Sequence, residues 1–178
     1  MKNEYARIFA VACAYYLLGT IGLLWAVPPG YATYVWAPAG IALGASYLWG
    51  GSVLPGVFLG SWLVNIWVPS APGRELIFWS GILPAIGATM QAAVGAAMMR
   101  AWLSPGWFRY PTELLRCLLI AVGSSAINGT FGPTALHLAG LVPSDSLIAS
   151  MQAWWVGDSI GAAVVAPLLV FLARGHEE

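Results

Sequence analysis

Asp158 is the residue in this 178-residue chain whose setting demands a chemical explanation. It lies near the middle of an apolar run over 147–173. An acid at the centre of a membrane helix costs about 2.5–3.5 kcal/mol on insertion scales, so such residues face protein or water and mark ligand or proton sites. At helical spacing Asp158 shares a face with Trp154, Trp155, Gly161 and Ala162, a face of aromatic and small residues suited to protein packing. Asn65, Thr89, Gln91, Asn128 and Thr130 occur at comparable depths of other apolar runs. One inward-facing polar cluster is therefore expected. No Lys or Arg falls inside a run at that depth, which leaves Asp158 three ways to avoid a bare buried charge. It stays protonated and donates to Asn65, Gln91 or Asn128; it accepts from indoles, hydroxyls and helix-end amides around a wet cavity; or it pairs with a cationic ligand. Two readings of the cluster stand side by side. In one, these groups only hold the bundle together. In the other, they form a site for a ligand or a proton, with the deeply placed Trp154 and Trp155 as pocket walls.

Enzymatic chemistry finds no support in the residue pattern. Cys13 and Cys117 are in no C-x-x-C or metal-ligand spacing, and two histidines are too few for a metal cluster. Arg116-Cys117 and His137 share one run but are separated by about 30 Å if it is helical throughout, at 1.5 Å per residue. Gly123-Ser124-Ser125 is not a nucleophile elbow and reads as small-residue packing. His137 reads as an interfacial hydrogen-bonding residue. There is no H-E-x-x-H, no Gly-rich phosphate loop and no pair of carboxylates. The expectation is no catalytic residue, no metal and no cofactor.

The elements that must position Asp158 follow from composition. Hydrophobic residues make up 60% of the chain and charged residues 8%, where a soluble domain carries about 25% charge. Mean hydropathy is +0.78. Seven basic residues balance seven acidic ones, which excludes electrostatic binding to nucleic acid. The chain belongs in a lipid bilayer, as a single domain over 1–178. A crossing needs about 20 mostly apolar residues, and six runs qualify or nearly so: 8–27, 35–49, 52–69, 76–99, 113–142 and 147–173. Lys2 and Arg7 before the first run resemble the start of a signal peptide, but the run is too long and no A-x-A site follows. Gly50-Gly51 joins the second and third runs so tightly that they should be antiparallel neighbours.

The reading is thus an all-α, integral membrane bundle of six helices with short loops. Placing the amino terminus inside puts Lys2, Arg7, Arg100, Arg109, Arg116 and Arg174 in the cytoplasm and only Arg74 outside, a clear positive-inside bias. Both termini are then cytoplasmic. The fifth run contains Asn128-Gly129-Thr130-Phe131-Gly132-Pro133, where Pro133 removes a backbone donor and disfavours the α region for Gly132. This predicts either a kinked, tilted helix or one broken near Asn128–Pro133 whose freed backbone groups line a cavity. Glycines four apart at Gly40 and Gly44, Gly56 and Gly60, and Gly157 and Gly161 are read as packing within the chain, with a homodimer contact as the other reading. Trp25, Trp36, Trp67 and Trp79 at outer ends and Trp49, Trp102 and Trp107 at inner ends read as aromatic belts.

Several blocks also resemble a known family. Trp36-Ala37-Pro38-Ala39-Gly40-Ile41-Ala42-Leu43 resembles the W-x-P-x-G-I-A-L opening of the type-one membrane-associated sensor domain, the MASE family of bacteria. Pro55–Gly60 with Asn65, Gly87–Gly95, and Trp154–Asp158 followed by Pro167-Leu168 resemble three later blocks, in the expected order. Ala88 and Gln91 stand where the third block often has Asn and Glu. The resemblance implies a multi-pass domain of the bacterial inner membrane that senses a small or lipophilic signal, or a membrane state. It also implies relay to a cytoplasmic histidine kinase, diguanylate cyclase or phosphodiesterase output. The expected ligand-binding or signal-sensing residues are Asp158, Trp154, Trp155, Asn65, Asn128, Gln91 and Trp36. The other reading is a substrate-binding membrane subunit of a vitamin or small-solute transporter, since such subunits also have about six helices and short loops.

Overall fold

The computed structural model describes residues 2–27, 32–66 and 81–174. Among them are six α-helices: α1 (Lys2–Leu23), α2 (Ala37–Trp49), α3 (Leu54–Ile66), α4 (Ile82–Trp102), α5 (Pro111–Leu138) and α6 (Leu147–Arg174). Short 3₁₀ turns sit in the connections, and one isolated bridge pairs Val27 with Ala32. The all-α expectation holds. The lengths differ from it. α1, α4, α5 and α6 are long and apolar enough to cross a membrane, whereas α2 and α3 have 13 residues each. That is about 20 Å of helix at 1.5 Å per residue, short of a hydrocarbon core about 30 Å thick. α2 starts late because Pro38 belongs in a first helical turn. It stops at Gly50, whose φ of 82° suits glycine.

α6 packs against α5 and α2, α4 against α5, α3 and α2, and α1 against α3 and α2. The expected neighbour relation between α2 and α3 is not found: they barely touch. Their glycine rows explain why, because each row faces a different helix. A Cβ on Gly40 would collide with the carbonyl of Gly161, and one on Gly44 would press on Ala166. On α3, a Cβ at Gly56 would collide with the Ile8 carbonyl, and one at Gly60 would lie 2.8 Å from the Ala12 carbonyl. All three glycine pairs therefore pack within the chain. Lipid offers no hydrophobic drive between helices, so close backbone approach at small residues carries much of the association.

α5 is continuous from Pro111 to Leu138 with Pro133 inside it, so of the two expected forms the helix broken at Asn128–Pro133 does not occur. Gly129 and Gly132 serve packing instead. Gly129 lies against the backbone of Trp155, and the ring of Trp154 occupies the space that a side chain on Gly132 would need. Thr130 and Thr134 donate to the Ala126 and Thr130 carbonyls one turn back, at 2.9 and 2.7 Å. Non-helical backbone does occur beside the centre of α6, but in segment 32–36. The Trp36 amide donates to the Gly157 carbonyl at 2.9 Å. Side chains on Gly157 and Gly161 would overlap the Thr33 and Trp36 carbonyls.

Trp107 departs from the aromatic-belt expectation. It is fully buried in a core with Leu43, Met99, Ile120 and Val170 and meets Tyr47 edge-on at 6.3 Å. Trp67, Trp79 and Arg74 lie outside the described residues.

Gly161→Val is expected to lower the melting temperature in detergent by several degrees. Forcing volume into a tight site costs about 1–3 kcal/mol, and here the clash is with backbone. Gly123→Ala serves as the control, because its Cβ would meet nothing within 4 Å. It should leave the melting temperature unchanged or raise it, as Ala is the better helix former.

Candidate functional site

Asp158 is 2% exposed at the middle of α6. Asn128, on α5, donates its Nδ2 to Asp158 Oδ2 at 2.9 Å. The Asn128 Oδ1 has no hydrogen-bond partner among the described residues and sits where a side chain on Gly87 would go, so that glycine makes its room. Gly157 and Asp158 also line a cavity of ≈ 20 Å³ together with Leu23, Thr33, Trp36, Asn65 and Trp154. That is space for a single water. On its far side Asn65 donates to the Ser61 carbonyl at 2.8 Å. Trp36 Nε1 donates to the Tyr15 hydroxyl at 3.4 Å, and Tyr15 also bonds to Ser61 and interacts electrostatically with Asp158. Four helices and the 32–36 segment therefore converge on one buried carboxyl group.

The structure brings Asp158, Asn65, Asn128, Trp36 and Trp154 together, so Trp36 is not simply a belt residue, and the expected single polar cluster divides. Gln91 donates to Ser125 Oγ at 2.9 Å, a separate link between α4 and α5. Thr89 bonds to its own helix at the Ala85 carbonyl, 2.7 Å away, and Thr130 is exposed. Trp155 is not a wall of the Asp158 cavity. It is 40% exposed, and its indole donates to the Val122 carbonyl at 2.7 Å. Tyr15, Ser61 and Thr33 were missed. Ser61 and Asn65 are one turn apart on α3, a spacing that could have flagged the serine. Tyr15 carries a hydroxyl deep in an apolar run and deserved the scrutiny given to Thr89.

Three of the described arginines are held elsewhere in the bundle. Arg7 lies over Trp49 at 5.6 Å, while Arg100 and Arg174 lie over Tyr47 at 5.9 and 5.5 Å. The start of α1 and the ends of α2, α4 and α6 thus meet at one end of the bundle. Arg100 also donates to the Ser46 and Tyr47 carbonyls, where the negative end of a helix dipole favours a cation. His137 bonds to the Val142 carbonyl at 2.8 Å, in keeping with a structural role. No cluster of three metal-ligating side chains occurs among the described residues.

The residues behind the family resemblance, Trp36, Asn65, Trp154 and Asp158, are the ones that line the small cavity. A family model agrees: MASE1 matches residues 7–178. The chain belongs to the MASE1 family. MASE1 is a membrane-associated sensory domain, and the long apolar helices make this member a multi-pass protein of the bacterial inner membrane. Over 137 residues the chain is 29% identical to the probable diguanylate cyclase DgcE of Escherichia coli (strain K12), covering 75% of this chain and 12% of that protein. It therefore spans only a small part of that relative's length. No solved structure matches it.

If Asn128 and Asp158 act as a pair, Asn128→Ala should cost about 1–3 kcal/mol by leaving a buried polar group without its donor. A double-mutant cycle with Asp158→Ala, read by reversible unfolding in mixed micelles, should show a coupling of about 0.5–3 kcal/mol. The same cycle between Gln91→Ala and Asp158→Ala should be additive.

Proposed function

We propose that this MASE1 domain detects a small or lipophilic signal, or a state of the membrane, at the Asp158 cavity and relays it along α6 to a cytoplasmic output. The observation that carries the reading is the position of Asp158. Its buried carboxyl group lies between Gly157 and Gly161, the two residues that touch the 33–37 backbone. Any change in its charge or hydrogen bonding acts on a contact with no slack, so α6 or the 32–36 segment must move. From Asp158 to Arg174 the helix continues for about 24 Å at 1.5 Å per residue, long enough to carry that movement to the other end of the bundle. The similarity to a probable diguanylate cyclase supports a cyclase-type output and a place in cyclic di-GMP signalling; a kinase or phosphodiesterase would be served by the same helix.

The topology that suits this relay has six crossings and both termini in the cytoplasm. The gathering of Arg7, Arg100 and Arg174 at one end supports it through the positive-inside rule. α2 gains the missing length from segment 32–36, whose non-helical backbone is covered by α6, as membrane depth requires.

Asp158→Asn preserves shape and most hydrogen bonding but cannot titrate. It is expected to fold normally and to lose the response in a fused-output assay, while Asp158→Leu should also lower stability by leaving Asn128 unpaired. A normal response of Asp158→Asn across pH would make Asp158 merely structural. Reporter fusions after Arg174 and at Ser144 should read cytoplasmic and periplasmic respectively, and a cytoplasmic reading at Ser144 would overturn the six crossings.

A further inference from the structure

A second, larger and open cavity of ≈ 550 Å³ lies at the end of the bundle opposite Arg7, Arg100 and Arg174, between the backbone after α1 and the start of α6. Its size falls in the range of small-molecule sites, about 300–1,000 Å³. Val27, Ala153 and Val156 are among its apolar walls, and Thr33, Asp145, Ser146, Ser150 and Gln152 supply polar groups. Among the described residues of the lining, Asp145 is the one that carries a charge. Ser146 donates to Asp145 Oδ1 at 3.0 Å. Thr33 lines both this cavity and the ≈ 20 Å³ cavity at Asp158. Its carbonyl is the group that closes on Gly157.

From this we infer that the outer cavity is a binding site for a small amphipathic amine, its apolar body against Val27, Ala153 and Val156 and its ammonium group on Asp145. An apolar chamber with a single anionic group selects against carboxylates and in favour of cations, since the ammonium gains a charge-assisted bond at the rim while the body leaves water. The occupant would press on Thr33, and through it on Gly157 beside Asp158. That consequence rests on the sensing role proposed above; the binding itself does not.

The test uses the full chain in phosphatidylcholine nanodiscs and three probes with one apolar body: 4-phenylbutylamine, 4-phenylbutanol and 4-phenylbutyrate. Binding is read by equilibrium dialysis against empty nanodiscs. The amine should bind saturably and about tenfold more tightly than the carboxylate, the worth of one charge-assisted hydrogen bond. Asp145→Asn should remove most of that advantage and leave the alcohol unchanged. Ala153→Trp, which fills the chamber from α6, should abolish saturable binding of both. Both positions are exposed, so both variants should melt as the parent does. Absence of saturable amine binding, equal affinity for the three probes, undiminished amine binding by Asp145→Asn, or binding that survives Ala153→Trp would each overturn the inference. Asp158→Asn should still bind the amine, so a failure of the relay through Asp158 is distinguished from a failure of this site.

Discussion

The contact between the backbone of residues 33–37 and the centre of α6 is the constraint on which the rest of this structure depends. Gly157 and Gly161 remove two side chains from α6, and the Thr33 and Trp36 carbonyls fill the space. The Trp36 amide is satisfied in the same contact by the Gly157 carbonyl. A short helix such as α2 cannot cross a bilayer unaided, and its extended lead-in would be intolerable against lipid, where each unsatisfied backbone group costs several kcal/mol. Covering that lead-in with a glycine-bearing helix removes the second problem. Gly40 on α2 then extends the contact by meeting the Gly161 carbonyl.

The same contact explains where the acid can be. Asp158 lies between the two glycines, where lipid is replaced by protein on every side, and Asn128 supplies a donor from α5. Trp36 and Asn65 approach through the cavity left beside the non-helical segment. A regular helix in place of residues 32–36 would keep its own amide and carbonyl groups within its axis, and the Trp36 amide would not turn outward to the Gly157 carbonyl. Polar density at mid-membrane is thus a consequence of irregular backbone as much as of the acid.

At the opposite end the structure is held by cations. Arg100 closes the last carbonyls of α2, and Arg174 at the end of α6 shares the Tyr47 ring with it. Trp107 packs beneath that ring. α6 therefore joins a tight glycine contact at its centre to an aromatic and cationic contact at its exit. The first is rigid because backbone meets backbone. The second is made of long side chains that can exchange partners at small cost, since exposed charge interactions of this kind are weak.

Sequence by itself determined the solvent, the class and the acid. Charge content of 8% and long apolar runs admit only a membrane bundle, and an acid in such a run is conspicuous whatever surrounds it. Glycine spacing also showed which faces must pack closely, because a missing side chain is visible in one dimension. Tertiary structure alone decided the partners. Gly-Gly between α2 and α3 suggested a hairpin, but each helix turns its glycines to a different neighbour. Asn128-to-Pro133 suggested a break, but Trp154 and Trp155 from α6 use those glycines for contact and the helix persists. The irregular segment is instead 32–36, where nothing in local propensity is as loud as a proline within a helix. Trp154 and Trp155 are adjacent and chemically alike, yet one lines the Asp158 cavity and the other faces outward to the Val122 carbonyl. Spacing gives a residue its angle around its own helix; which angle is interior depends on where the other helices stand, and that is decided by contacts between residues far apart in the chain.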